Sequence, residues 1–281
     1  MTSTSTAARD VPSTSPDLTV DRSETPMGFS WLIKDSWTEA TRHLRAIPRN
    51  PELLMFATIQ PIMFIVLFVY VFRGSVQVPL DYVQYVIPGI FAQTVLFNSA
   101  FTGVGVADDL SKGMIDRLRS LPMYPAAVLI GRILSDVVRN VLTFTVMLTV
   151  AFIIGFRFEG SFIGAVAATG LMFLFSFAFS WIQALIGLSV GSVEAANSAG
   201  FIWMFPLTFV SSAFVDVSRM TGWLRPIARN NPFTVLTNAC RALYNGYDGG
   251  NDPWLALAWA VGITVVFAIL TTRKFAKSTS G

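Results

Sequence analysis

The stretch ADDLSKGMIDRLRSLP, residues 107–122, decides the fold, because it is a charged segment between two long apolar runs. Its apolar residues recur at helical spacing, so they form one stripe along a helix. The members of this stripe are Leu110, Met114, Leu118 and Leu121. The charged residues that cover the other faces are Asp108, Lys112, Asp116, Arg117 and Arg119. The pattern predicts a short amphipathic helix that lies in water between two membrane-spanning segments.

The ends of this predicted helix carry their own signals. Either Asp108 or Asp109 is suited to cap its start, because a carboxylate accepts hydrogen bonds from the free N–H groups of a first turn. Pro122 ends the helix, since proline cannot continue it. Gly113 costs about 1 kcal/mol relative to alanine inside a helix. It therefore marks either a bend or a place where a partner approaches closely.

Two interpretations fit this pattern: the helix lies on the lipid surface, or it docks another protein. The sequence GMIDRLRSLPM, residues 113–123, resembles the segment after the second span of type-2 ABC exporter permeases of the daunorubicin-resistance kind. The resemblance implies a coupling helix that sits in a groove of a separate ATPase subunit. The residues that it assigns to this contact are Asp109, Leu110, Gly113, Met114, Asp116, Arg117, Leu118, Arg119, Leu121 and Pro122.

The composition is that of a membrane protein. Hydrophobic residues make up 53% and charged residues 13% of the 281-residue chain, whereas a soluble domain carries about 25% charged residues. The net charge of +3 is spread over loops, which argues against a nucleic-acid partner. The single cysteine, Cys240, excludes an internal disulfide or a thiolate metal cluster, and the single histidine, His43, argues against a histidine-based site.

The N-terminal part has two segments. Residues 1–27 are rich in Ser, Thr, Pro and Asp, so we expect a disordered tail. Residues 29–47 carry an apolar helical stripe with Trp31 and Trp37, which are typical of the headgroup layer. This second pattern predicts an interfacial helix on the membrane surface.

Apolar runs of about 20 residues, the length that crosses a bilayer, predict six transmembrane helices. These runs are 53–72, 83–106, 136–156, 162–190, 199–215 and 254–272. Lys and Arg residues before the first run, between the second and third, and after the sixth place both termini and residues 107–122 in the cytoplasm. We therefore expect an all-α integral membrane protein, multi-pass in a bacterial plasma membrane.

The segment 216–253 disagrees with this orientation, because four arginines lie on its predicted outer side. Its sequence GWLRPIARNNPFT, residues 222–234, resembles the short external or re-entrant helices before the last span of the same exporters. Asn231 is suited to cap a helix that begins at Pro232 and ends at Gly246. The arginines lie either at the outer headgroups or against an anionic cargo. The residues of interest here are Trp223, Arg225, Asn231, Pro232 and Arg241.

Polar residues within the apolar runs have two interpretations. They line a cargo path, or they form hydrogen bonds between helices. These residues are Gln60, Gln93, Asn98 and Gln183. Glu194 lies in a predicted cytoplasmic turn, which is a second candidate contact with an ATPase or a solvated turn. The pattern Gly187–x–x–x–Gly191 fits close helix packing.

Some patterns are missing from the sequence. Residues 1–281 contain no Gly-Lys-Ser/Thr phosphate loop, so we do not expect the chain to hydrolyse ATP. We expect no carboxylate in the middle of a span, which disfavours a proton-coupled carrier. No internal repeat is evident, which disfavours an inverted-repeat carrier.

The resemblance implies the membrane subunit of an exporter of an amphipathic drug, natural product or lipid. It binds no cofactor itself, because ATP and Mg²⁺ belong to the partner subunit. It pairs with itself or with a related permease. A polysaccharide exporter and a non-transporting membrane scaffold remain alternatives.

Overall fold

The computed structural model describes the backbone of residues 51–113 and 125–277, and the side chains of 59–113 and 130–275. Within these ranges the regular elements are all helices, joined by turns and loops, and none is a strand. This confirms the all-α prediction for this part of the chain. The predicted tail 1–27 and the predicted interfacial helix 29–47 lie outside it.

Nine α-helices make up the described part. They are α1 (Pro51–Val66), α2 (Tyr82–Asn98), α3 (Ala100–Ser111), α4 (Pro125–Ile154), α5 (Phe162–Gly187), α6 (Val193–Phe209), α7 (Leu224–Asn230), α8 (Pro232–Asn245) and α9 (Asp252–Lys277). A π-helical segment, Leu67–Phe72, extends α1, and a 3₁₀ turn, Val217–Arg219, precedes α7.

Four helical segments of the described part are long and apolar enough to cross a membrane: Tyr82–Ser111, Ile130–Ile154, Phe162–Gly187 and Asp252–Phe275. Ile59–Phe72 is a shorter apolar helix. The first of the four combines α2 and α3, which are separated only at Ser99. It is the centre of the bundle, because 89% of its most apolar window is buried, against 28% for α4 and 17% for α9. The exposed apolar faces of α4 and α9 suit contact with lipid.

Two predicted runs differ from the helices. The run 199–215 is wrong at both ends, because α6 is Val193–Phe209 and Val210–Val215 are not helical. Glu194 consequently lies in the first turn of α6 rather than in a turn between helices, and Ser192 caps that helix by accepting from the N–H of Ala195 at 3.1 Å. The run 136–156 begins too late, because α4 starts at Pro125.

The helices meet at two ends of the bundle. At the Ser111 end, α3 terminates beside the start of α4, the α5–α6 turn and the end of α9, where Lys274 donates to Ser189 Oγ at 2.7 Å. At the Asp81 end, the loop before α5 joins the end of α8. There the N–H groups of Glu159 and Gly160 donate to the carbonyl of Tyr244 at 3.1 and 2.9 Å.

Glycines allow α3 and α5 to touch through their backbones. A Cβ atom on Gly103 would lie 2.6 Å from the carbonyl oxygen of Gln183, and one on Gly187 would overlap the carbonyl of Gly103. The small-residue pattern at 187–191 therefore acts inside the chain at Gly187, whereas Gly191 faces open space.

We expect Gly187→Ala to destabilise the folded protein by about 1–3 kcal/mol, because the new methyl group must push two packed backbones apart. Gly170→Ala on the same helix is the matched control, since no atom lies within 4 Å of its added Cβ. Thermal unfolding of the two variants in detergent measures the difference. Equal midpoints would contradict the α3–α5 contact.

Candidate coupling end and cargo cavity

The described part of the charged stretch is the end of α3 and a turn. Asp108 and Asp109 lie in the last turn of α3, so the prediction that one of them caps the start of a separate helix is wrong. The helix ends at Ser111 with Lys112 as its C-cap, and Gly113 adopts a φ of 62°, a left-handed conformation that glycine tolerates best. Gly113 thus marks a turn, which was one of its two predicted roles. Met114, Asp116, Arg117, Leu118, Arg119, Leu121 and Pro122 lie outside the described residues.

Two ion pairs brace this end of α3. Asp108 accepts from Lys112 at 2.7 Å in an exposed pair within the helix. Asp109 pairs with Arg132 of α4, and both side chains are less than one-fifth exposed. The Arg132 guanidinium lies against Gly105, where any side chain would overlap it. The second pair therefore joins the two helices that flank residues 114–124.

Leu110 and Glu194 complete the predicted contact residues that the structure describes. Leu110 is half-buried against an apolar cluster that includes Val106, Ile133 and Trp181. Glu194 is exposed, and it follows the α5–α6 turn at the Ser111 end. The exposed carboxylate of Glu194 is available to a partner at this end. Only part of the Leu110 side chain is, because the rest packs against the cluster.

Three of the four predicted cargo-path residues come together around one cavity of about 340 Å³ between α1, α2, α3 and α6. Its lining includes Gln60, Gln93 and Asn98, together with the rings of Phe64, Phe97, Phe101 and Phe201. None of the described residues that line it is ionisable. Gln93 and Asn98 are only 3% and 5% exposed, and neither Gln93 Nε2 nor Asn98 Nδ2 has a hydrogen-bond partner among the described residues.

Gln183 lies elsewhere. Its side chain is fully buried, and Nε2 lies 3.4 Å from the carbonyl oxygen of Gly200 and 2.9 Å from Met204 Sδ. These contacts join α5 to α6. The geometry fits the helix-to-helix hydrogen bond that was the alternative for this residue.

A buried carboxylate was missed. Asp136 lies within the apolar segment Ile130–Ile154, nearer its start than its middle, and is 6% exposed. It forms an ion pair with Arg139 at 2.8 Å and accepts from Thr102 Oγ1 at 2.5 Å. The opposite charges at positions i and i+3 were a signal for this pair in the sequence.

The segment before the last helix is packed into the Asp81 end. Asn231 Oδ1 accepts from the N–H of Phe233 at 2.8 Å, Pro232 occupies the first turn of α8, and Gly246 ends the helix with a φ of 75°. These details confirm the predicted capping. Cys240 is fully buried beside the carbonyl of Ala168, so it packs inside the bundle.

The arginines of this segment differ from one another. Arg241 is 3% exposed and donates to the carbonyls of Tyr85 and Ser212 at 2.9 and 2.8 Å, so its guanidinium is not free to contact lipid headgroups. Its guanidinium also stacks 3.6 Å from the centre of the Tyr85 ring. Arg225 is half-buried, and Trp223 is 70% exposed on the surface. Only the exposed residues of this segment suit the membrane interface.

A second cavity of about 450 Å³ lies beside Arg241, with Asp216 at its edge. Partial burial favours the neutral form of Asp216, but the hydrogen bonds from Ser218, whose N–H donates at 2.9 Å, and the positive charges of Arg219 and Arg241 together outweigh it. The pKa of the Asp216 carboxyl therefore lies below its usual range. This carboxylate stays charged at neutral pH.

Comparison with known proteins agrees with this architecture. Residues 36–245 match the family model described as "ABC-2 type transporter". The chain is 32% identical over 244 residues to the daunorubicin resistance ABC transporter permease protein DrrB1 of Streptomyces coeruleorubidus, covering 86% of each chain. It is 25% identical to a protein of Mycobacterium tuberculosis named "Probable doxorubicin resistance ABC transporter permease protein DrrC", over 85% of this chain and 87% of that one. The matched region spans nearly every helix described above, and the chain belongs to the ABC-2 type transporter family.

Proposed function

We propose that the chain is the permease subunit of an ATP-driven exporter of amphipathic molecules, energised by a separate ATP-binding subunit at the Ser111 end. The observation that carries the cargo assignment is the cavity with a largely apolar, aromatic wall, in which two buried amide nitrogens have no hydrogen-bond partner among the described residues. Such a wall suits a flat apolar molecule that carries oxygen acceptors. The names of the two relatives, which refer to daunorubicin and doxorubicin resistance, support a drug or natural product as cargo.

The proposed topology has six spans. Besides the four long segments, we take α1 with its π-helical extension and α6 as spans. This gives α1, α2–α3, α4, α5, α6 and α9 alternating directions, with both termini and residues 107–122 on the cytoplasmic side of a bacterial plasma membrane. The Lys and Arg distribution supports this orientation.

The proposed energy input comes from a partner. ATP and Mg²⁺ would bind to that subunit, and its closure would push on residues 107–122 and bias the bundle between two states through contacts that differ in each. The Asp109–Arg132 pair supports this role, since it ties both flanks of the segment together. The permease would act as a homodimer or with a related chain.

Copurification tests the assembly. The chain is extracted from its native membranes in mild detergent, and the proteins that accompany it are identified by mass spectrometry. We expect an ATP-binding subunit with a phosphate-binding loop. Recovery of the intact chain without any nucleotide-binding protein would count against the proposal.

We expect the double substitution Arg117→Ala and Leu118→Ala to uncouple ATP hydrolysis from export while membrane insertion stays intact, because the docking helix loses a charge and an apolar contact. The measurement compares ATPase rate with daunorubicin efflux in vesicles that contain the complex. The pair Ile227→Ala and Arg229→Ala is the control, since both side chains are exposed on α7, away from the Ser111 end. Normal efflux by the first double variant would rule out this docking role.

We expect Gln93→Leu and, separately, Asn98→Leu to raise the apparent KM for daunorubicin by about 2- to 10-fold, the value of one hydrogen bond. Neither change should lower thermal stability much, because each removes a buried nitrogen that has no partner. Gln77→Leu is the control, since this glutamine is exposed in the loop after α1. An unchanged KM in both cavity variants would show that cargo binds elsewhere.

A further inference from the structure

One face of α4 changes character along its length. In the half nearer the Ser111 end, this face carries polar residues at helical spacing, and in the other half it carries apolar ones. The polar members are Arg132, Asp136, Arg139, Asn140 and Thr143. The apolar members are Phe144, Met147 and Ala151. Most other described positions of α4 are exposed or only half-buried, so the polar side chains supply much of its contact with the bundle.

These polar side chains converge on the break between α2 and α3. The Thr102 N–H donates to the carbonyl of Ser99 at 3.0 Å, three residues back instead of four, so the regular helix pattern is interrupted here. Arg139 donates to the carbonyl of Asn98 at 3.5 Å. Asn140 Nδ2 lies 3.5 Å from the carbonyl oxygen of Val95, which also accepts from Ser176 at 2.9 Å. Backbone groups at the break are therefore satisfied from α4 and α5.

The same break forms part of the cavity wall. Asn98 and Phe101 line the cavity, and Arg139 contacts both of them, the first through its carbonyl and the second through its ring at 4.9 Å. Asp136 holds Arg139 at 2.8 Å and Thr102 at 2.5 Å. A rotation or shift of α4 would thus change the position of two cavity residues.

The other end of this polar face meets the Ser111 end. Arg132 precedes Arg139 by two helical turns on the same face and pairs with Asp109. α4 therefore contacts, through charged groups on one face, both the flank of the proposed docking segment and the wall of the cavity.

We propose that Asp136 and Arg139 are positioning residues that transmit movement of α4 to the cavity wall. Their role rests on the proposed function, because it links the nucleotide-driven end of the protein to the cargo cavity. The pair sets the geometry of the α2–α3 break, so the shape of the cavity follows the position of α4. Neither residue lines the cavity, and cargo need not touch them.

The test measures how accessible one residue of the cavity wall is to a labelling reagent. Thr94 lines the cavity, and in the variant Thr94→Cys its thiol reports on access to the wall through the rate of labelling by a small maleimide. The parent thiol, Cys240, is fully buried and supplies the background rate. The complex with its copurified ATP-binding subunit is placed in vesicles of phosphatidylcholine and phosphatidylglycerol, and labelling is compared with and without ATP.

Asp136→Asn and Arg139→Gln are then added singly and together. The single variants leave one buried charge without its partner, whereas the double variant leaves none, so the double variant should recover thermal stability. We expect the ATP-dependent change in labelling rate to fall about fivefold or more in all three. The matched control is Arg73→Gln with Asp81→Asn, which removes an exposed ion pair at the Asp81 end, away from residues 107–122, and should leave the response intact.

The outcomes separate the alternatives. A double variant that recovers stability but not the ATP response supports the positioning role. A double variant that recovers both would show that the pair serves stability alone, and it would overturn the inference. Absence of any ATP response in the Thr94→Cys parent would overturn the proposed coupling to ATP, and the inference with it.

Discussion

The interior of this bundle has to satisfy its own polar groups, because hydrocarbon offers no hydrogen-bond partners. The interruption of the central helix at Ser99 makes this constraint acute, since irregular backbone then lies deep among apolar side chains. The carbonyls around the break accept from Arg139, Ser176 and Ser99 itself. A charged pair inside an apolar helix is costly in isolation. Here the Asp136–Arg139 pair and the backbone carbonyls at the break satisfy each other's hydrogen bonds. These contacts hold α2, α3, α4 and α5 together.

Buried polar side chains in the described part of this protein fall into two groups, those with hydrogen-bond partners inside the bundle and those left free to bind cargo. Asn140 and Arg241 are buried polar side chains whose donors reach carbonyls or hydroxyl groups of neighbouring helices. The amide nitrogens of Gln93 and Asn98 are equally buried but reach none within the described residues. Unpaired buried donors are unfavourable in a folded protein. An oxygen atom of a molecule bound in the cavity would supply the hydrogen-bond acceptor that these two nitrogens lack.

Much of the helical framework could be predicted from the sequence, because apolar runs of bilayer length and capping residues such as Asn231 and Gly246 are local signals. The family was also recognisable, since the residues 113–123 carry a specific order of charges, glycine and proline. The boundaries of α4 and α6 were missed, because hydropathy marks where a helix is apolar and not where it begins. Asp136 was placed at the start of a span for that reason. The burial of Arg241 could not be predicted either, since its acceptors are carbonyls of residues distant in sequence.

The junction at the Asp81 end has a mechanical consequence. The loop before α5 is joined to the end of α8 by two hydrogen bonds to one carbonyl, and the backbones of Gly160 and Gly246 approach so closely that neither position accommodates a side chain. A joint of this kind resists sliding and leaves rotation as the available freedom. Of the long helices, α5 is the one that this junction fixes at its start. Displacements imposed at the far extremity of α5 would then be largest near it and fade towards the junction.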